Sequence, residues 1–156
     1  MSNIPSSRRS KTKIDFYKQV TDLRYKTLNY LTDDFLDNNG KFVNTYKNSW
    51  VINKTVNRIF DYGADIVKNI IAANTIYITN LYEYNKRRGY MTDAISNCEQ
   101  IIQEIQFLSK IFTMKLEKYI SLTKEFEKLE DSIKNWRKSD NTTLKKVLEK
   151  TGESKS

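Results

Sequence analysis

At 156 residues the chain is the length of one domain, and it contains no histidine, one cysteine, one proline and four glycines. Without histidine there is no imidazole acid or base, no Ser-His-Asp or Cys-His nucleophile and no His metal ligand, and the single Cys98 forms neither an intrachain disulfide nor a multi-thiolate zinc site. So little turn material argues against a sandwich or barrel, while a net charge of +8 argues for an anionic partner.

The positive charge is unevenly placed. Residues 1–13 hold Arg8, Arg9, Lys11 and Lys13 and no acid. Residues 134–156 hold Lys134, Arg137, Lys138, Lys145, Lys146, Lys150 and Lys155 against Asp140, Glu149 and Glu153, so the stretch 14–133 is electrically balanced. A neutral body with basic ends suits a folded module that offers cations to nucleic acid or to an anionic membrane face. No run approaches the roughly 18 apolar residues of a membrane span, and no apolar h-region follows the basic start; a cytoplasmic protein without a membrane segment is expected.

In chain order, residues 1–12 are expected to be a disordered basic arm. Thr12 followed by Asp15 resembles a capping box and predicts a helix from Lys13. Phe16, Val20, Leu23, Thr27 and Tyr30 or Leu31 trace its inner face, with Phe35 replacing Asp34 at the next step and Asp37–Gly40 ending it. The second segment has the cleanest period: Ile52, Val56, Ile59, Gly63, Ile66, Ile70, Ala73 and Tyr77, widened by Val67 and Ile71. This helix is extended to about Arg88, with Gly89 stopping it, although its start within 37–52 is not marked. A third helix buries Met91, Ala94 or Ile95, Cys98, Ile101, Ile105, Leu108 and Phe112. A fourth, after a break near Thr113, buries Leu116, Tyr119, Leu122, Phe126, Leu129, Ile133 and Trp136. Short connections favour antiparallel neighbours, so the expected fold is all-α, an antiparallel up-down-up-down four-helix bundle over 13–138, followed by a basic tail or frayed helix over 139–156.

Candidate chemistry is sparse. Glu99 and Glu104 flank the apolar face of the third helix, where solvated carboxylates explain them better than a metal site. Cys98 falls on a core position that should suppress thiolate formation. Asp33, Asp34 and Asp37 form an acidic C-terminal turn on the first helix. Tyr82, Tyr84 and Tyr90 interleave with Lys86, Arg87 and Arg88, the combination that stacks on unpaired bases and neutralises phosphates. The expected nucleic-acid-binding set is therefore Arg8, Arg9, Lys11, Lys13, Lys86, Arg87, Arg88, Arg137, Lys138, Lys145 and Lys146. No acid/base pair, nucleophile or metal set can be assembled, so neither an enzyme nor a cofactor is expected. Tyr17, Tyr25, Tyr30, Tyr46, Tyr62, Tyr82, Tyr84 and Tyr90 are more aromatic surface than one bundle of this size is expected to bury, which predicts self-association.

Several short segments carry a resemblance. Ala73-Asn74-Thr75-Ile76-Tyr77, Glu83-Tyr84, Arg87-Arg88, Ala94-Ile95, Asn97-Cys98-Glu99-Gln100 and Gln103-Glu104-Ile105-Gln106 are similar to the helix-two to helix-three region of small bacterial four-helix-bundle proteins. Trp136-Arg137-Lys138-Ser139-Asp140-Asn141, and Ser7-Arg8-Arg9-Ser10 before Ile14-Asp15-Phe16-Tyr17, fit one branch. This branch resembles the accessory variability determinant proteins of diversity-generating retroelements, with 23S-rRNA intervening-sequence proteins as more distant relatives. The resemblance implies a non-enzymatic partner of a reverse transcriptase that binds template RNA, supports mutagenic cDNA synthesis and assembles as a homo-oligomer, a pentamer in that family. The alternative reading is a phage or bacterial helical adaptor whose basic ends touch another polyanion or an anionic membrane.

Overall fold

Apolar residues at three- and four-residue steps leave each helix one face to be covered, and in the computed structural model four helices cover one another. The structure describes residues 6–43, 49–112 and 116–152, without the side chains of 6–14 and 116. The helices are α1 (Ser6–Phe35), α2 (Ser49–Asn74), α3 (Leu81–Ile111) and α4 (Leu116–Thr151). Each packs against two neighbours, α1 and α3 both lying between α2 and α4, and among the described residues no diagonal pair meets. Cross-links fix the directions. Tyr17 in the first half of α1 meets Asn74 at the end of α2, Arg58 of α2 meets Glu104 of α3, and Lys26 of α1 meets Glu125 of α4. Every neighbouring pair is antiparallel, as the sequence predicts.

The expected seams form the core. Ile52, Val56, Ile59, Ile66, Ile70 and Ala73 of α2 are buried against Met91, Ala94, Cys98, Ile101, Ile105 and Leu108 of α3. Phe16, Val20, Leu23, Leu31 and Phe35 of α1 and Tyr119, Leu122, Phe126, Leu129, Ile133 and Trp136 of α4 complete it. Thr27 is admitted to this layer because its hydroxyl donates to the Leu23 carbonyl at 2.7 Å. Gly63 lets the Arg24 side chain lie across α2, and a Cβ there would stand 3.3 Å from Arg24 Nε.

Four expectations need correction. First, α1 begins at Ser6, six residues before the cap expected at Thr12. The three-residue spacing of Thr12 and Asp15 is also the spacing of one helix face, so it does not by itself mark an end.

Second, α2 stops at Asn74 rather than Arg88, and Gly89 lies inside α3. The β-branched run Thr75–Thr79 leaves the helix, and Asn80 restarts it with extended backbone (φ −159°, ψ 174°) and a side-chain oxygen that accepts from Glu83 N at 2.9 Å. Glu83 reaches back to Thr79, accepting from its N–H at 3.1 Å and its hydroxyl at 2.6 Å. Tyr77 is consequently outside the seam and 65% exposed, and Ile71 is also exposed.

Third, residues 139–151 continue α4. Leu144, Val147 and Leu148 keep the helical period, and Gly152 in the left-handed region (φ 75°) ends it.

Fourth, most of the tyrosines are not surplus. Tyr17, Tyr30, Tyr62 and Tyr90 pack against the core, Tyr84 is half-buried, and Tyr25 and Tyr82 are exposed. Tyr46 lies outside the described residues.

The α1–α2 connection turns tightly at Asp37, whose carboxylate accepts from Asn39 N at 2.9 Å and Lys41 N at 3.0 Å while Gly40 takes φ +74°. Replacing Asn80 by Ala removes the α3 cap and is expected to cost about 1 kcal/mol in urea unfolding. Burial pushes the Cys98 thiol up to about 12 from an ordinary 9.0, with the Glu130 and Glu99 carboxylates adding to the shift. The folded chain holds this proton more tightly than the unfolded chain, so the contribution to stability is full below pH 9.0 and is lost as pH rises through about 12. A thiol reagent at pH 8 should therefore leave native Cys98 unlabelled and react once urea unfolds the chain; equal rates in both states would show the thiol to be open to water.

Candidate nucleic-acid interface

The residue that organises the basic end is Arg87. Its Nε donates to Asp140 Oδ2 at 2.7 Å and its Nη2 to Asp140 Oδ1 at 3.2 Å, a forked pair between α3 and α4. Nη1 donates to the carbonyls of Ile76 at 3.0 Å and of Ala73 at 3.4 Å where α2 ends, the latter also accepting from Ile76 N at 3.2 Å. The guanidinium carbon stands 5.0 Å from the centre of the Trp136 ring, and that ring lies 5.1 Å from Phe16 of α1. Arg87 and Asp140 side chains are only 15% and 6% exposed. The three consecutive cations thus do not form one outward cluster, which corrects the expected set: Arg87 points inward because its helical angle is that of the core positions Ala94, Cys98 and Ile105.

Past this level α2 has ended while the other three helices continue. By the contacts of Phe16 with Trp136 and of Tyr17 with Asn74, the first ten residues of α1 run beyond the end of α2, and about 15 Å of α4 after Asp140 does the same. Lys86, Lys138, Lys145 and Lys146 are exposed at this end, joined by Lys150, which the sequence reading did not single out. Arg88 and Arg137 are half-buried; Arg88 Nη1 donates to the Tyr84 hydroxyl at 3.4 Å and Arg137 Nη1 to Thr92 Oγ1 at 3.1 Å. Arg8, Arg9, Lys11 and Lys13 sit on the first turns of α1, and their side chains lie outside the described residues. Clusters remote in sequence are brought to one end of the bundle.

The acids at this end are largely occupied. Asp140 is buried against Arg87, and Glu83 is held in the α3 cap, so neither faces the exposed lysines as a free counter-charge; Glu149, exposed on α4 among Lys145, Lys146 and Lys150, offsets one of them. Of the three interleaved tyrosines, Tyr84 donates its hydroxyl to Asn141 Oδ1 of α4, Tyr90 packs against the core, and Tyr82 alone is open, 72% exposed. The signal that separates them is the helix restart at Asn80, which sets the phase of all three.

The other candidates are structural. Glu104 accepts from Arg58 at 3.0 Å. Glu99 is raised above the ordinary carboxylate range, first by its hydrogen bond to Glu130 and then by partial burial, and Glu130 also accepts from Lys134 at 2.8 Å. Asp34 accepts from the Tyr119 hydroxyl at 2.6 Å and from Lys118 at 2.8 Å. Among the described residues no group of three or more His, Cys, Asp or Glu is placed to hold a metal ion, and no helix is long and apolar enough to cross a membrane. No family model matches the chain, and no curated protein or solved structure is significantly similar to it.

The Arg87 arrangement predicts a sharp contrast between two neighbouring substitutions. Asp140→Ala leaves a buried guanidinium without its counter-charge and should cost about 3 kcal/mol in urea unfolding, whereas Lys138→Ala, on the exposed face, should change stability by no more than about 0.5 kcal/mol.

Proposed function

We propose that this chain is a non-enzymatic RNA-binding protein whose contact surface is the basic end of the bundle, and that it serves a reverse transcriptase of a diversity-generating retroelement as an accessory subunit. The observation that carries the first part is the convergence of Lys86 on α3 with Lys138, Lys145, Lys146 and Lys150 on α4, at the end where α1 carries Arg8, Arg9, Lys11 and Lys13. Exposed cations on rigid helices, outnumbering the exposed Glu149 beside them while Asp140 and Glu83 are held in the Arg87 pair and the α3 cap, favour a polyanion and carry no sequence code. The second part rests on the resemblance to accessory variability determinant proteins, which also implies a homopentamer. Exposed Tyr25 and Leu28 on α1 and Ile71 on α2 leave apolar surface open and support self-association.

Salt titration tests the RNA reading. Affinity for template RNA should fall with a log-log slope of about −0.7 for each phosphate neutralised on single strands, and Lys138→Ala, Lys145→Ala and Lys146→Ala together should reduce the slope by about 2. An unchanged slope in this triple variant would move the contact surface off α4. Binding to anionic vesicles with no binding to RNA would favour the adaptor reading instead. The retroelement part is tested separately: a reverse-transcriptase gene flanked by template and variable repeats is expected beside the coding sequence, and a neighbourhood without one overturns that part while leaving RNA binding to the titration.

A further inference from the structure

Each of the four glycines can be asked what the fold requires of it. Gly40 and Gly152 take positive φ, and Gly63 is overlaid by Arg24. Gly89 has none of these reasons. It lies in the interior of the 31-residue α3 with ordinary helical backbone, and a Cβ built on it would meet nothing within 4 Å. Alanine would fit there and would strengthen the helix, so the fold alone does not account for this glycine. What glycine supplies is a strip of bare backbone that a flat group can approach closely.

The surroundings of that strip indicate which flat group. Tyr82, Lys86 and Gly89 follow one another at steps of four and three on the solvent side of α3, so they share a stripe, with Asn85 beside it; all four are exposed. Tyr82 is 72% exposed, with neither a ring partner nor a hydrogen bond recorded for it among the described residues. From Tyr82 to Gly89 the stripe is about 10 Å long, and Asp93, one turn further, ends it with a charge that repels phosphate.

Resting on the RNA reading above, we infer that the Tyr82–Asn85–Lys86–Gly89 face of α3 is a stacking subsite for an unpaired nucleotide, so that the basic end takes single-stranded nucleic acid in preference to duplex. The base lies on the Tyr82 ring, Asn85 offers both a donor and an acceptor to its edge, Lys86 takes the adjoining phosphate, and the open backbone at Gly89, about 10 Å along the helix, lets the next nucleotide approach closely. A duplex keeps its base faces covered by neighbouring pairs and can use only the cations.

The test uses the full chain, a labelled oligouridine and an RNA duplex of the same length, followed by fluorescence anisotropy across a salt series. Wild type should prefer the single strand. Tyr82→Ala should weaken oligouridine binding about 5- to 100-fold with the salt slope unchanged and duplex binding unmoved, and Tyr82→Phe, which keeps the ring, should bind as wild type. Gly89→Ala should raise the melting temperature and still weaken oligouridine binding, a combination that a purely structural role does not give. Equal loss on both RNAs, or no effect of Tyr82→Ala on either, overturns the stacking subsite and leaves the polyanion reading intact. Absence of any RNA binding by wild type overturns both. Light scattering in which Tyr82→Ala lowers the oligomer mass while oligouridine affinity holds would assign the face to contacts between copies of the chain and overturn the subsite.

Discussion

One guanidinium sets the geometry on which the basic end depends. Arg87 meets three demands at once: the Ala73 and Ile76 carbonyls where α2 stops, the buried carboxylate of Asp140 on α4, and the face of Trp136, which in turn leans on Phe16 of α1. A lysine could hold one of these groups but not all three, because the ammonium lacks the planar fork and stacks less well on an aromatic face. All four helices are therefore fixed at this level by a single side chain on α3. Buried ion pairs are weak evidence for net stability, since desolvation offsets much of the attraction, but removal of either partner strands a charge, which gives this level one permitted register.

The opposite end is closed by a second polar contact. The Tyr119 hydroxyl of α4 donates to Asp34 at 2.6 Å and to the Tyr30 carbonyl at 3.2 Å, with Lys118 on the same carboxylate and Phe35 set edge-on against Phe112 nearby. Burial and the Asp34 carboxylate both push the Tyr119 phenol up, so it remains a donor across the physiological range. Between the two ends the helices meet through apolar seams, where a slip of one turn would bury similar side chains. Lys26–Glu125 and Arg58–Glu104 lie part-exposed along those seams and add about 1 kcal/mol each at most. The buried polar contacts thus gather at the ends, while the middle is held by apolar packing, the Arg24–Gly63 approach and the Asn69–Asn97 bond.

This division explains what the sequence discloses. The seams of α2, α3 and α4 were legible because their apolar spacing is long and regular, and Cys98 was placed correctly because it sits on that spacing. The α2–α3 boundary was misplaced because glycine is a weak punctuator when it lies on a solvent face: Gly89 looks like a stop, whereas the true stop is the β-branched run Thr75–Thr79 followed by the reciprocal Asn80–Glu83 cap. That error shifted the phase around Lys86–Arg88 and made three cations look alike. Arg87 is invisible as a clamp in sequence because its partners, Asp140 and the Ala73 and Ile76 carbonyls, are 11 to 53 residues away. The sequence leaves the α4 extension between tail and frayed helix because Leu144, Val147 and Leu148 are few among many charges.

The same geometry gives the basic end a physical character of its own. Cations held on helices are pre-organised, so less side-chain and backbone freedom is lost on meeting a polyanion than with a coil arm, and the contact is stronger for the same number of phosphates. The drawback is mutual repulsion, because Asp140 and Glu83 are engaged elsewhere and the exposed lysines outnumber Glu149 at an end that lacks the cover of α2. This end is therefore the part of the bundle with the least holding it together below the Arg87 level. A bound polyanion removes the repulsion while touching only the folded arrangement, and by linkage it stabilises that arrangement in proportion to its affinity. If the proposed binding holds, its strength and the stability of the protruding turns of α1 and α4 are linked, with Arg87 as the fixed point from which both helices extend.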